Sequence, residues 1–135
     1  GGVVLAAVDK IAYVCATRHA GATCVTASFD QVDFRSAIQL GEVVTLEAAV
    51  NTVGRTSIEV GVRVTAETVH GKNRRHTNSC YVTMVAIDEK GKPMPVPQLE
   101  LRTEAECQRY RDAEDRRAAR LELADGRSRR RKARG

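Results

Sequence analysis

Residues 3–18 read VVLAAVDKIAYVCATR, and this segment limits the possible fold more than any other. It has no Pro and no internal Gly, and its apolar side chains fall on nearly every side of a helix. A helix that is apolar all round is normally buried. The spacing predicts a central helix over about 3–19 that ends near Arg18, His19 and Gly21. Basic residues suit the negative end of a helix dipole, and Gly is a common stop. Such a helix needs a sheet wrapped around it, and the side left open calls for a second subunit. Asp9 stands in the middle of this run. A buried carboxylate without a partner is costly or titrates upward. Asp9 therefore pairs with Lys10 or a neighbouring strand, reaches the surface, or acts as a base on a water.

From Thr23 the period changes from helical to two. Val25, Ala27 and Phe29 alternate with Thr26, Ser28 and Asp30, which predicts a strand toward Phe34. Residues 43–53 place Val44, Leu46, Ala48 and Val50 on one face. After a turn at Gly54-Arg55, residues 56–69 alternate most clearly, with Ile58, Val60, Val62, Val64 and Ala66 on one side. His70-Gly71-Lys72-Asn73 is a second turn, and residues 75–88 form a last long strand. The expected fold is α+β: one helix, then four antiparallel strands joined by tight turns. PMPVPQL over 93–99 is an extended exit.

The formal charge of +5 invites a nucleic-acid reading until it is located. Residues 1–101 hold ten basic and ten acidic residues, whereas 102–135 hold twelve basic and seven acidic. This predicts a neutral domain over 1–101 and a charged tail over 102–135. The tail reads as a solvated helix over 103–123, opened by a Thr103–Glu106 capping box, and a disordered end over 125–135. Neither a nucleic-acid nor a membrane partner is expected. No apolar run approaches the roughly 20 residues that span a bilayer, and the opening run lacks a basic leader. The chain starts without Met, so further residues upstream are expected. Cysteines at 15, 24, 80 and 107 form no CxxC pair, which excludes a zinc ribbon and favours reduced thiols in a cytoplasm.

Several residues have the chemistry for a site. Gly1-Gly2 precede the helix, whose N-terminal N–H groups can hold a carbonyl oxygen or a phosphate. Gly54-Arg55-Thr56-Ser57 offers charge and hydroxyls to a phosphate, or is an ordinary hairpin turn. Arg74, Arg75 and His76 form a second basic cluster. His19 reads better as a helix-end residue than as a base. G-x-S-x-G is absent, and no pair of ligands at metal spacing lies on one helix.

The combination GG-x₆-D, ATRH, VTAS-x-D-x-VDF, GRTS and GKP-x-PVP resembles the hotdog-fold acyl-CoA thioesterases, nearest to the cytosolic acyl-CoA hydrolase group. The segments that carry it run from GGVVLAAVDKIAYVCATRHAG, through the LGEVV turn and RRHTNSCYVTMVAIDEK, to TEAECQRYRDAEDRR. The resemblance implies a curved antiparallel sheet around one buried helix, with the first strand upstream of Gly1. It implies hydrolysis of acyl-CoA thioesters with no cofactor, in homohexamers built as trimers of dimers with sites at subunit interfaces. Asp9 is then catalytic, Gly1 and Gly2 lie beside the thioester carbonyl, and a polar residue upstream, often Asn, comes from the facing subunit. GRTS (Gly54, Arg55, Thr56, Ser57) and Thr77, Asn78 and Ser79 are the places where such proteins hold coenzyme A, and Arg55, Arg74 and Arg75 suit its phosphates. A non-catalytic acyl-CoA binder and a nucleic-acid binder acting through the tail are the rival functions. A hotdog dehydratase using His19 is a lesser one.

Overall fold

The computed structural model describes residues 2–134, with side chains described over 4–31 and 33–122. Contacts divide the chain into two units, Gly1–Leu99 and Glu100–Gly135. The first holds α1 (Gly2–Ala20), β1 (Cys24–Phe34), β2 (Val43–Val53), β3 (Ser57–Glu67) and β4 (Arg75–Ala86). Gly21 ends α1 with a φ of 66° and an N–H bonded to the Thr17 carbonyl at 2.9 Å. That left-handed conformation is one that Gly adopts without a Cβ penalty.

The four strands form one antiparallel sheet in the order β1-β4-β3-β2. The expected chain of tight turns is therefore broken once. β1 and β2 are opposite edges, and residues 35–42 cross between them. α1 packs against all four strands. Val8, Ala12 and Ala16 are fully buried on it, and the small alanines let its backbone approach the sheet. Ile58, Val60, Val62 and Val64 of β3 meet that strip with Cys80, Val82, Met84 and Ala86 of β4, and Ala66 of β3 is buried too. Val44, Leu46, Ala48 and Val50 of β2 pack at its margin.

The helix is buried along this strip only. Leu5, Tyr13 and Val14 are each more than 40% exposed, and Asp9 is exposed too. Of the alternatives open for Asp9 in the sequence, the structure places it at the surface: the carboxylate lies on the flank of α1, beyond the strip that the sheet covers.

β1 also departs from simple alternation. A register shift lies between Thr26 and Ser28, so Thr26 pairs with Met84 and Phe29 with Val82. Met84 and Val82 both face the helix, so the bulge at Ala27 puts Thr26 and Phe29 on that same face. On the outer face, a Cβ on Gly61 would come within 2.5 Å of the Asn51 side-chain nitrogen. Asn51 is itself the extra residue of a β2 bulge and is buried, so only Gly leaves it room.

The second unit contains α2 (Glu104–Arg134). Thr103 Oγ1 accepts the Glu106 N–H at 3.1 Å, and Glu106 in turn accepts the Arg102 N–H at 2.9 Å. The expected disordered end is corrected: the helix continues through residue 134. Seven of residues 125–134 are Arg, Lys or Ala, all good helix formers, and they outnumber the weaker Asp125, Gly126 and Ser128. Residue 135 lies outside the described residues. Among the described residues no helix is long and apolar enough to cross a membrane.

Candidate active site

Asp9 and Thr26 come from the helix flank and the edge strand. Thr26 Oγ1 lies 3.0 Å from Asp9 Oδ1 and 3.4 Å from Met84 Sδ. A hydroxyl has one proton to donate, and the charged carboxylate is the stronger acceptor. The bond fixes the carboxylate in direction. Among the described residues Thr26 is its one hydrogen-bond partner, and Asp9 is exposed. An exposed carboxylate held at one oxygen can orient a water at the other and take its proton. Of the sequence alternatives for Asp9, a neighbouring strand supplies the partner and Lys10 does not. Thr26 was missed in the sequence because alternation alone groups it with Ser28 and Asp30. The bulge that turns it toward Asp9 leaves no mark in composition.

Gly2 opens α1, and its N–H is one of the first-turn donors that helix geometry leaves without an internal acceptor. Gly1 lies outside the described residues. Beside this helix end is a cavity of about 450 Å³, with Val4 and Leu5 on one side and Phe34, Ser36, Ala37 and Ile38 on the other. Leu5 is one turn before Asp9 on the same side of the helix.

The residues expected to meet coenzyme A are not gathered in one place. The Gly54–Ser57 loop is held by Gly54 N–H to Ser57 O at 2.8 Å, and Arg55 O accepts the Val96 N–H at 2.9 Å. Thr56 O accepts the Ala86 N–H at 3.0 Å. The Arg55 side chain is exposed. This loop starts β3, opposite Val85, whereas Arg75 pairs with Ala66 near the far end of the same strand. Nine residues of extended chain separate the two ends by about 30 Å. Thr77 is fully buried, 3.1 Å from the Val64 carbonyl and 2.9 Å from Asn78 Oδ1. Asn78 lines the cavity, while Ser79 lies 2.8 Å from His76 Nε2. Arg74 is exposed. His19 Nε2 meets the Pro97 carbonyl at 2.9 Å and so ties the helix end to the proline-rich exit.

Arg75 is committed elsewhere than to a phosphate. Nε donates to Ser36 Oγ at 2.9 Å, and Nη1 to Glu42 Oε2 at 2.6 Å and the Asn73 carbonyl at 3.2 Å. Nη2 donates to Glu42 Oε1 at 2.7 Å and the Ala37 carbonyl at 2.8 Å. A guanidinium has five N–H groups, and these five bonds match them. Arg75 first, and then the Gln39 N–H, hold the Glu42 carboxyl down at about 2. A carboxyl depressed in the fold adds stability above its unfolded value near 4.5, and that part is lost as pH falls toward 2. Melting temperatures of wild type and Glu42→Gln are expected to differ most above pH 4.5 and to converge as the pH falls toward 2.

Burial pushes the Cys15, Cys24 and Cys80 thiols up, which makes them poor nucleophiles. Among the described residues no group of three or more His, Cys, Asp or Glu could hold a metal ion.

One long helix laid across an antiparallel sheet, with a carboxylate on its flank and a hydroxyl from the edge strand, is the architecture of a hotdog fold. The sequence profile of the Thioesterase superfamily matches residues 1–71, more than half of the chain, and the chain belongs to that family. A crystal structure of an apo hexameric acyl-CoA thioesterase matches with a TM-score of 0.86 at 46% identity, covering 92% of this chain and 80% of that one. An acyl-CoA hydrolase from Staphylococcus aureus, solved with butyryl coenzyme A, coenzyme A and coenzyme A disulfide, matches with a TM-score of 0.80 at 36% identity. That match covers 93% of this chain and 79% of that one. Protein VdlD of Helicobacter pylori strain 26695 is 48% identical over 113 residues, which is 84% of this chain. The chain spans 64% of the length of that relative.

Proposed function

We propose that the protein hydrolyses acyl-CoA thioesters to a carboxylic acid and coenzyme A, with Asp9 as the base that orients and deprotonates the attacking water. The observation that carries this reading is the Asp9–Thr26 pair, 3.0 Å apart and 17 residues apart in sequence. The Staphylococcus aureus acyl-CoA hydrolase has been solved as an aspartate-to-alanine and a threonine-to-alanine variant, and those two positions are also 17 residues apart. Water attacks the thioester carbon, Asp9 takes its proton, and the carbonyl oxygen becomes an oxyanion. The oxyanion collapses, the C–S bond breaks, and the leaving thiolate carries the electron pair and takes the proton that Asp9 holds. No cofactor enters this sequence.

The oxyanion needs a donor, and Gly2 N–H is the one the helix supplies. Gly2 and Asp9 are about 10 Å apart along one helix axis. Gly2 of one copy facing Asp9 of another closes that distance, which gives a site shared between subunits. The exposed Leu5, Tyr13 and Val14 on α1 suit burial in a homohexamer of the kind its structural relative forms. Arg55 and Arg74, both exposed, remain the side chains for coenzyme A phosphates. A cytoplasmic setting keeps the four free cysteines reduced.

Thiol release from a series of straight-chain acyl-CoAs tests the function. Turnover of at least part of the series is expected, and saturable binding without any thiol release selects the non-catalytic binder. Thr26→Val keeps the side-chain shape but removes the donor to Asp9. It is expected to lower kcat roughly 10-fold or more, the scale of one hydrogen bond to a charged group. Thr26→Ser should retain most of the rate, and equal losses in both variants would contradict the role of the hydroxyl.

A further inference from the structure

The crossover of residues 35–42 is tied down at both ends. Arg35 and Ser36 donate their N–H groups to the Thr77 carbonyl at 2.8 and 3.3 Å. At the other end Glu42, with only 7% of its side chain exposed, accepts the Gln39 N–H at 2.6 Å and the fork of Arg75. A bidentate guanidinium–carboxylate pair fixes direction as well as distance. Arg75 reaches further, to Ser36 Oγ and the Ala37 carbonyl in the middle of the same crossover. Exposed ion pairs usually contribute little. This one is half-buried and joins residues 33 positions apart, so it selects one path for the loop between them.

That path forms a wall. Ser36, Ala37 and Ile38 face Val4 and Leu5 across the cavity at the start of α1, and Ile38 also packs on the core. The lining is largely apolar, suited to an alkyl group, and it begins one helical turn from Asp9. We infer that the Arg75–Glu42 clamp is a specificity-determining device: it holds residues 36–38 as the wall against which the acyl chain of the substrate packs. Arg75 is then a positioning residue that acts through the loop and does not itself touch the ligand. The ligand class rests on the acyl-CoA reading above.

The test measures binding without turnover. Affinities of coenzyme A and of non-hydrolysable S-alkyl coenzyme A thioethers, from short to long, are compared by calorimetry in the full chain. Wild type, Arg75→Gln, Arg75→Lys, Glu42→Gln and Ser36→Ala are the variants. Freeing the wall is expected to change the ratio of long-chain to short-chain affinity roughly tenfold in Arg75→Gln, the worth of one or two methylenes of apolar contact. Affinity for coenzyme A alone should stay within about twofold, because the clamp acts on the alkyl end only. Glu42→Gln should show the same signature, and it carries no cation that a phosphate could miss. Arg75→Lys, which cannot fork, should restore the ratio only in part. Ser36→Ala removes a single bond and keeps the test open if Arg75→Gln does not fold.

Equal weakening of coenzyme A and every thioether in Arg75→Gln would show a phosphate contact and overturn the proposal. An unchanged ratio in both Arg75→Gln and Glu42→Gln would overturn it too. Wild-type protein that binds the thioethers but does not hydrolyse the matching esters refutes the reaction and leaves the clamp measurable. Wild-type protein with no affinity for any thioether overturns both.

Discussion

Asp9→Asn is expected to lower kcat for acyl-CoA hydrolysis by roughly 10² to 10⁴, the range of one general base. The substitution keeps the size of the side chain and can still accept the Thr26 hydroxyl proton at its amide oxygen. It removes only the group that takes the proton of the water. Asp9 is exposed and outside the buried strip of α1, so stability should change by no more than about 0.5 kcal/mol in the single chain. Unfolding and oligomeric state measured beside the kinetics separate a lost base from a lost fold. A variant with near-wild-type turnover would sink the role given to Asp9. A variant with lost assembly would show that the carboxylate serves an interface.

Ile58→Ala is expected to produce the largest loss of stability among single truncations in the sheet. Ile58 is the largest of the fully buried side chains, on a central strand between Val53 and Met84. Truncating such a residue removes apolar contact and leaves a cavity, at a cost of about 2–5 kcal/mol. Total stabilities of such domains are only about 5–15 kcal/mol, so the effect is visible in urea unfolding at fixed protomer concentration. Val69→Ala, at a site 72% exposed, should shift the same curve by less than about 0.5 kcal/mol. Equal shifts for the two would contradict the assignment of β3 to the core.

Strand positions were legible because apolar alternation is a local signal. The run of Ile58, Val60, Val62, Val64 and Ala66 reads as one face, and all five are buried. The limits of β2, 43–53, follow from the same pattern. Strand order was not legible, because the pairing of β1 with β4 joins segments some 55 residues apart without changing either pattern. The bulge at Ala27 was hidden as well, and with it the inward turn of Thr26.

Asp9 stood out because one charge in an apolar helix is conspicuous. Its exposure did not, since a helix apolar on every side gives no clue to which flank a single subunit leaves open. The pair Arg74-Arg75 shows the limit most plainly. Two adjacent arginines look alike in sequence, yet Arg75 finds Glu42 across the crossover and Arg74 remains exposed. Only the approach of β4 to the start of β2 separates a clamp from an exposed cation.

Water is the nucleophile that Asp9 activates, and hydrolysis of a long-chain acyl-CoA in ¹⁸O-labelled water, followed by mass spectrometry of both the released acid and the peptide that carries Asp9, tests this. Stoichiometric free thiol, one ¹⁸O in the product carboxylate and none in Asp9 are expected, because water attacks the thioester carbon itself. Label in the Asp9 carboxylate, or bound acyl-CoA that releases no thiol, would contradict it.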